Sequence, residues 1–206
     1  MMTMERQALL ASRPDFAAIA QWVTHGARVL DLGCGDGSLL RHLWETRQVH
    51  GYGVEIDAAH VVECVRNDVN VLQMNLEDGL ATFGDRSFDC VILSETLQAI
   101  HHTEQLMREL LRVGREAIVS FPNFGHWQAR VQVILGRMPV SQELPYQWYD
   151  TPNVHLCTLE DFEDFCRRLG FRILERQVLH AGRSVNLMPN LLGSLAVYRL
   201  GCEAPS

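Results

Sequence analysis

Asp31, Gly33, Gly35 and Gly37 stand in the stretch "VLDLGCGDG", where an apolar run ends in a carboxylate and glycines follow at alternate positions. These glycines flank Cys34 and let the chain turn tightly, so that a ligand can approach the backbone with no Cβ in the way. A leucine-rich helical pattern begins at once, and the amides of a helix N-terminus favour an anionic group. The spacing is G-x-G-x-G, not the G-x-G-x-x-G of a dinucleotide fingerprint, and no P-loop lysine follows. Glu55, in "GYGVEID", lies roughly 20 residues beyond the first loop glycine, where an acid commonly accepts ribose hydroxyls. Asn75 or Glu77, in "QMNLEDGL", is placed to meet an adenine edge at the end of the next strand. Each feature has a plainer alternative: turn geometry without a ligand for the loop, a solvated carboxylate for Glu55, turn chemistry for Asn75.

A second set of side chains suits proton transfer. Glu95, His101 and His102 follow the apolar run "FDCVILS", and His126 stands in "NFGHW". Tyr146, Trp148, Tyr149 and His155 lie further on. Of these, Glu95 and His126 are the candidates to orient or deprotonate an acceptor. The alternative for His101 and His102 is a turn entering a helix; for the aromatics it is an ordered loop or a partner-facing one. No Ser-His-Asp set with a nucleophile elbow is present. The six cysteines include no C-x-x-C pair, which speaks against a zinc site and for reduced thiols.

The elements that must position these residues follow from periodicity. Apolar residues at Phe16, Ile19, Ala20 and Val23 predict a helix entered through Arg13-Pro14-Asp15 and ended by Gly26. Strands are expected at Val29 to Leu32, Tyr52 to Ile56, Val69 to Met74, Phe88 to Ser94 and Glu116 to Phe121. Between them helices are expected over Leu39 to Gln48, beyond Asp57, and over Thr103 to Val113. Strands alternating with helices imply a parallel sheet covered on both faces. From about 122 to 156 the rhythm breaks into an irregular, aromatic-rich excursion. Thr158 and Asp161 form a capping-box pattern ahead of a helix to Leu169, and "FRILERQVL" and "SLAVYRL" supply two last strands. This reads as one α/β domain over residues 1–200 with a flexible tail over 201–206.

At 206 residues, 47% apolar and 21% charged, the chain can bury a sizeable core. A net charge of −7 argues against a broad nucleic-acid or anionic-membrane surface. No run approaches the roughly 20 apolar residues of a membrane span, and the first residues lack a signal peptide's apolar core, which points to the cytoplasm.

"VLDLGCGDG", "GVEID" and "FDCVILSETL" resemble the class I S-adenosylmethionine-dependent methyltransferases over about Arg28 to Phe121. The resemblance implies a Rossmann-like fold with a seven-stranded, mostly parallel sheet whose last strand is antiparallel, with helices on both faces. It implies S-adenosyl-L-methionine as cofactor. Asp31 and the backbone of Gly33, Cys34, Gly35 and Gly37 would flank its methionine part, and Glu55 would hold the ribose. Asn75 stands where such enzymes often carry an aspartate near the adenine, and its oxygen can accept the exocyclic amine proton. A narrower resemblance covers almost the whole chain. "RPDFAAIAQWV", "MRELLRVGREAIVSFPNFGHW", "GRMPVS", "LPYQWYDTPNVHLCT" and "LMPNLLGSLAVYRL" are similar to the methionine biosynthesis protein MetW family. That similarity implies a role in bacterial methionine biosynthesis alongside a homoserine O-acyltransferase (MetX), and it supplies no methyl acceptor. Two expectations result: a cofactor-binding partner or regulator of the acyltransferase, or an active methyltransferase on a small-molecule acceptor. The segment Phe124 to His155 is the expected partner surface, and exposed Trp or Tyr there would favour docking over an acceptor role.

Overall fold

Runs that are apolar at most positions, rather than at alternate ones, build strands buried on both faces. In the computed structural model, which describes residues 13–141 and 143–202, two such runs form β1 (Arg28–Leu32) and β4 (Phe88–Ser94). Around them lie β2 (His50–Glu55), β3 (Asn70–Gln73), β5 (Gly114–Pro122), β6 (Phe171–His180), β7 (Arg183–Ser184) and β8 (Leu195–Cys202). The order across the sheet is β3-β2-β1-β4-β5-β8-β6-β7. Strand β8 is antiparallel to both β5 and β6, and β7 is antiparallel to β6; the remaining pairs are parallel. The helices are α1 (Asp15–Trp22), α2 (Ser38–Arg47), α3 (Ala58–Arg66), α4 (Thr103–Val113), α5 (Trp127–Ile134), α6 (Leu159–Leu169) and α7 (Pro189–Leu192).

Side chains alternate across a strand, and the two cores alternate with them. Leu30, Leu32, Val91, Leu93, Ala117 and Val119 face α4 and α6, whereas Val29, Cys90, Ile92 and Ile118 face α1 and α2. Each fully buried aliphatic side chain contributes about 1.5–3 kcal/mol. Register then puts polar residues together. Asp31 pairs with Gly53 and Ile92, and Ser94 pairs with Ser120. Counting in twos, Asp31, Glu55, Ser94 and Ser120 all face the α1 side at the carboxyl ends of four neighbouring strands.

Helix starts follow the expected chemistry. Asp57 caps α3 by accepting from the Ala59 N–H at 2.7 Å, and Thr158 and Asp161 complete the capping box at α6. Three expectations need correction. The sheet has eight strands, not seven: Ala181 and Gly182, both with positive φ, turn β6 back into the two-residue β7. The stretch 122–156 is not wholly irregular, because it contains α5. Gly201 and Cys202 are no tail; they finish β8, with Gly201 paired to Glu116 and Arg172. Residues 203–206 lie outside the described residues.

Candidate functional site

The glycine loop joins β1 to α2 over the end of β2. Gly33 has φ +73°, and a Cβ there would sit 2.6 Å from Thr96 Oγ1 and 2.7 Å from Thr96 Cγ2, so only glycine fits. Gly37 starts α2 in the left-handed region and packs that helix against Val69 and Cys64. Gly35 faces open space. The loop amides are not left aimed at an anion, as the helix-terminus expectation had it. Those of Gly33 and Cys34 both donate to the Val54 carbonyl, at 2.8 and 3.1 Å. That of Gly35 donates to Glu55 Oε2 at 2.9 Å, while Ile56 and Asp57 N–H groups donate to Glu55 Oε1 at 2.8 and 2.9 Å. Glu55 is thus buried and fixed in orientation, with one acceptor site on Oε2 left unused. The Cys34 side chain turns inward, its Sγ 3.7 Å from Cys64 Sγ. Burial pushes its thiol far up, so it is no nucleophile.

Asp31 is buried, and its Oδ1 has no hydrogen-bond partner. Burial raises its carboxyl to about 7; Arg13 opposes the rise, and Asp15 and Glu55 add to it. Beside it a polar cluster gathers from distant parts of the chain. Buried Asp15 accepts from Arg13 Nε at 3.1 Å and Nη2 at 2.9 Å, from Ser94 Oγ at 2.6 Å and from Ser120 Oγ at 3.2 Å. Arg13 also lies 3.5 Å from Glu95 and stacks on the Phe16 ring. Glu95 leaves β4 with φ +50°, a conformation costing a non-glycine residue about 1–3 kcal/mol. Its N–H donates to the Ser120 carbonyl at 3.0 Å, which holds the turn. Burial raises the Glu95 carboxyl to about 7 as well, against Arg13 and with Asp15 and Glu143. Around the loop three carboxylates, Asp15, Asp31 and Glu95, therefore face one guanidinium, Arg13, and a fourth, Glu55, adds its charge beside Asp31. Arg13, Asp15, Ser94 and Ser120 were not foreseen as site residues; the signal was the charged Arg13-Pro14-Asp15 opening of an otherwise buried helix.

Asn75 lies at the end of β3, next to Glu55, whose carbonyl accepts the Met74 N–H at 3.0 Å. Its side-chain oxygen accepts from the Glu77 N–H at 3.0 Å and starts a 3₁₀ turn over Leu76–Asp78. Glu77 accepts from the His101 N–H at 2.6 Å and from His102 Nδ1 at 2.7 Å. His101 and His102 are exposed, and they serve the turn before α4. His126 lies near the start of the excursion, its ring 4.8 Å from that of His180 and its Nε2 buried without a partner. Burial first, then His180, lowers its pKa. His180 Nδ1 reaches Ser194 Oγ at 3.1 Å, and Ser194 Oγ donates to Glu143 Oε1 at 2.5 Å. His126, Ala129, Gln132, Ser141, Glu143 and Ser194 line one small cavity under α5.

A larger cavity of about 230 Å³ opens past the turn that follows Glu95. Leu97, Gln98, Phe121, Leu144, Cys157, Phe162 and Phe165 line it, with Arg168 at its rim. The excursion closes over it, as Val154 and His155 N–H groups donate to the Gln98 carbonyl at 2.8 and 3.0 Å.

A family model described as "Methionine biosynthesis protein MetW" matches residues 13–200. The chain belongs to the MetW family. It is 36% identical over 171 residues to the bifunctional methionine biosynthesis protein MetXA/MetW of Rhodopirellula baltica. That match takes in 78% of this chain and 27% of the relative, so the chain spans about a quarter of that protein. Among solved structures it resembles a Thermotoga maritima S-adenosylmethionine-dependent methyltransferase, described as a possible histamine N-methyltransferase. The TM-score is 0.65 at 18% identity, covering 97% of this chain and 94% of that one. It also resembles the magnesium protoporphyrin IX methyltransferase of Synechocystis, solved with bound SAH, with TM-score 0.65, 18% identity and coverage of 98% and 89%. These structures establish the class I methyltransferase fold of this MetW protein. Among the described residues no helix is long and apolar enough to cross a membrane.

Proposed function

We propose that this MetW protein binds S-adenosyl-L-methionine at the glycine loop and acts with a homoserine O-acyltransferase as its partner or regulator in a reducing cytoplasm. The observation that carries the cofactor reading is the buried Asp31 carboxylate with an unpartnered oxygen, within a surplus of carboxylates. An unmatched acidic cluster favours a cation, and this cofactor carries an ammonium and a sulfonium against one carboxylate. The residues fit it: Asp31 would meet the ammonium, Glu55 the ribose, the Gly33–Gly37 backbone the methionine part, and Asn75 the adenine side. When bound, the cofactor supplies a methyl group activated on sulfur. The fused MetXA/MetW relative, which joins both names in one chain, supports the partnership.

Calorimetric titration of the purified protein with S-adenosylmethionine, repeated with Asp31→Asn and with Glu55→Gln, tests the first part. Binding that is unchanged in both variants would refute the site. Acyltransferase activity of the mixed proteins across a cofactor titration tests the second, and a flat response would refute regulation.

The 230 Å³ cavity beyond Leu97 supports a second reading, methyl transfer to a small acceptor. Glu95, two residues before the cavity-lining Leu97 and with its carboxyl raised to about 7, would act as the base from outside the cavity wall, and His126 would stand apart from the acceptor, since it lines the separate small cavity under α5. Incubation with candidate metabolites under saturating cofactor should then release the demethylated cofactor, and Glu95→Gln should abolish that release.

A further inference from the structure

The apolar residues of α5 sit on the wrong side of the helix for a core. Trp127, Val131, Ile134 and Leu135 recur at i, i+4, i+7 and i+8, which is one face of a helix. All four are exposed, Ile134 by 81% and Leu135 by 71%, and Met138 continues the line. The opposite side is the anchored one. Ala129 is buried, and Gln132 exchanges two hydrogen bonds with the Val140 backbone, at 3.1 and 3.0 Å. Further along the same excursion Trp148 and Tyr149, 72% and 70% exposed, stack edge to face. A soluble surface that presents a contiguous apolar stripe and paired aromatics has the make-up of an interface core.

We infer that the exposed stripe of α5, with Trp148 and Tyr149, is the surface on which the homoserine O-acyltransferase docks; this rests on the partnership proposed above. Two observations choose that occupant. In the Rhodopirellula baltica relative the MetXA and MetW parts share one chain, which keeps the two in permanent contact range. The segment 127–138 also holds two arginines, Arg130 and Arg137, and no acid, within a chain whose net charge is −7. It therefore suits an apolar groove edged with carboxylates on another protein better than a two-fold pairing with a second copy, in which the same arginines would face each other. Because α5 is held from its inner side, the stripe can be altered without opening the core.

The test uses the full-length chain and the acyltransferase of the same organism in biosensor binding, with Ile134→Asp, Trp148→Ala and, as control, Val65→Asp on α3. Loss of binding by about tenfold or more in the first two, the size of a hot-spot truncation, with the control intact, is the expected result. Calorimetric cofactor binding should stay as in the unaltered chain, which shows that the variants fold. Should the unaltered chain bind and both variants bind equally well, the surface is misassigned while the partnership stands. If the unaltered chain shows no binding at all, the partnership reading falls and takes this occupant with it. Self-association of the unaltered chain that Ile134→Asp abolishes, with acyltransferase binding retained, would make the occupant a second copy.

Discussion

A buried carboxylate oxygen with nothing to accept from leaves a polar group uncompensated, and Asp31 is in that state. Its carboxyl, ordinarily at 3.8, is raised to about 7 by burial. The folded protein therefore binds more protons than the unfolded chain between pH 4 and 7. The stability of the ligand-free protein falls as pH rises through that window, and Glu95 contributes with the same sign. A cationic ligand reverses the preference, because it favours the ionised acid. Affinity for S-adenosylmethionine should thus tighten from pH 6 to pH 8 with proton release on binding, seen as a buffer-dependent calorimetric enthalpy. Asp31→Asn should weaken binding roughly 10- to 100-fold, as for a charge-assisted hydrogen bond, and flatten the slope. Gly33 makes a separate case. Gly33→Ala forces a Cβ against Thr96 at positive φ, and should cost about 1–3 kcal/mol in chemical denaturation. Adding Thr96→Ala removes the two closest atoms but not the φ penalty, so the double variant should recover only part of the loss.

At the scale of elements, the capping box at α6 sets a modest and separable term. Thr158→Ala should lower stability by about 1 kcal/mol, visible as a lower melting temperature, and leave cofactor affinity unchanged, since α6 covers the opposite sheet face from the glycine loop. The contrast between α6 and α5 shows what a sequence can reveal. Helix α6 carries its cap and buries Leu159, Phe162 and Cys166 in a regular stripe, so its pattern and its environment agree. Helix α5 follows Asn123-Phe124-Gly125, lacks a side-chain cap and turns its stripe outward, so Pro, Gly and aromatic composition hid it. The strands β1, β4 and β5 were legible because a two-sided burial leaves largely apolar runs. Strand β7 was not, since two residues make no pattern and the Ala181-Gly182 turn is no strong hairpin signal. Candidate site residues divide in the same way. Asp31, Gly33 and Glu55 announce themselves through local spacing. Asp15 does not, because its partners Ser94 and Ser120 stand 79 and 105 positions away, and only the sheet register brings them to it.

For the whole molecule the question is whether the glycine loop and the α5 surface communicate. Glu143 is one residue that relates to both sides, through its charge toward Glu95 and through its contacts under α5. Its charge raises the Glu95 carboxyl, its carboxylate accepts from Ser194 Oγ, and it lines the cavity under Ala129 and Gln132 of α5. A cationic cofactor bound as proposed would favour an ionised Glu95, and repulsion from Glu143 at the seat of α5 would then grow. Coupling of this kind is reciprocal: a factor by which the cofactor changes acyltransferase affinity must equal the factor by which the acyltransferase changes cofactor affinity. Typical couplings amount to about 5- to 150-fold. The expected result is equal, non-unit factors in the two titrations for the unaltered protein. In Glu143→Gln both binding events should persist while the factor shrinks toward one, because the hydrogen bond from Ser194 survives and the charge does not. A factor unchanged in that variant would remove Glu143 from the route. A factor of one in the unaltered protein would mean that the proposed cofactor and partner sites act independently.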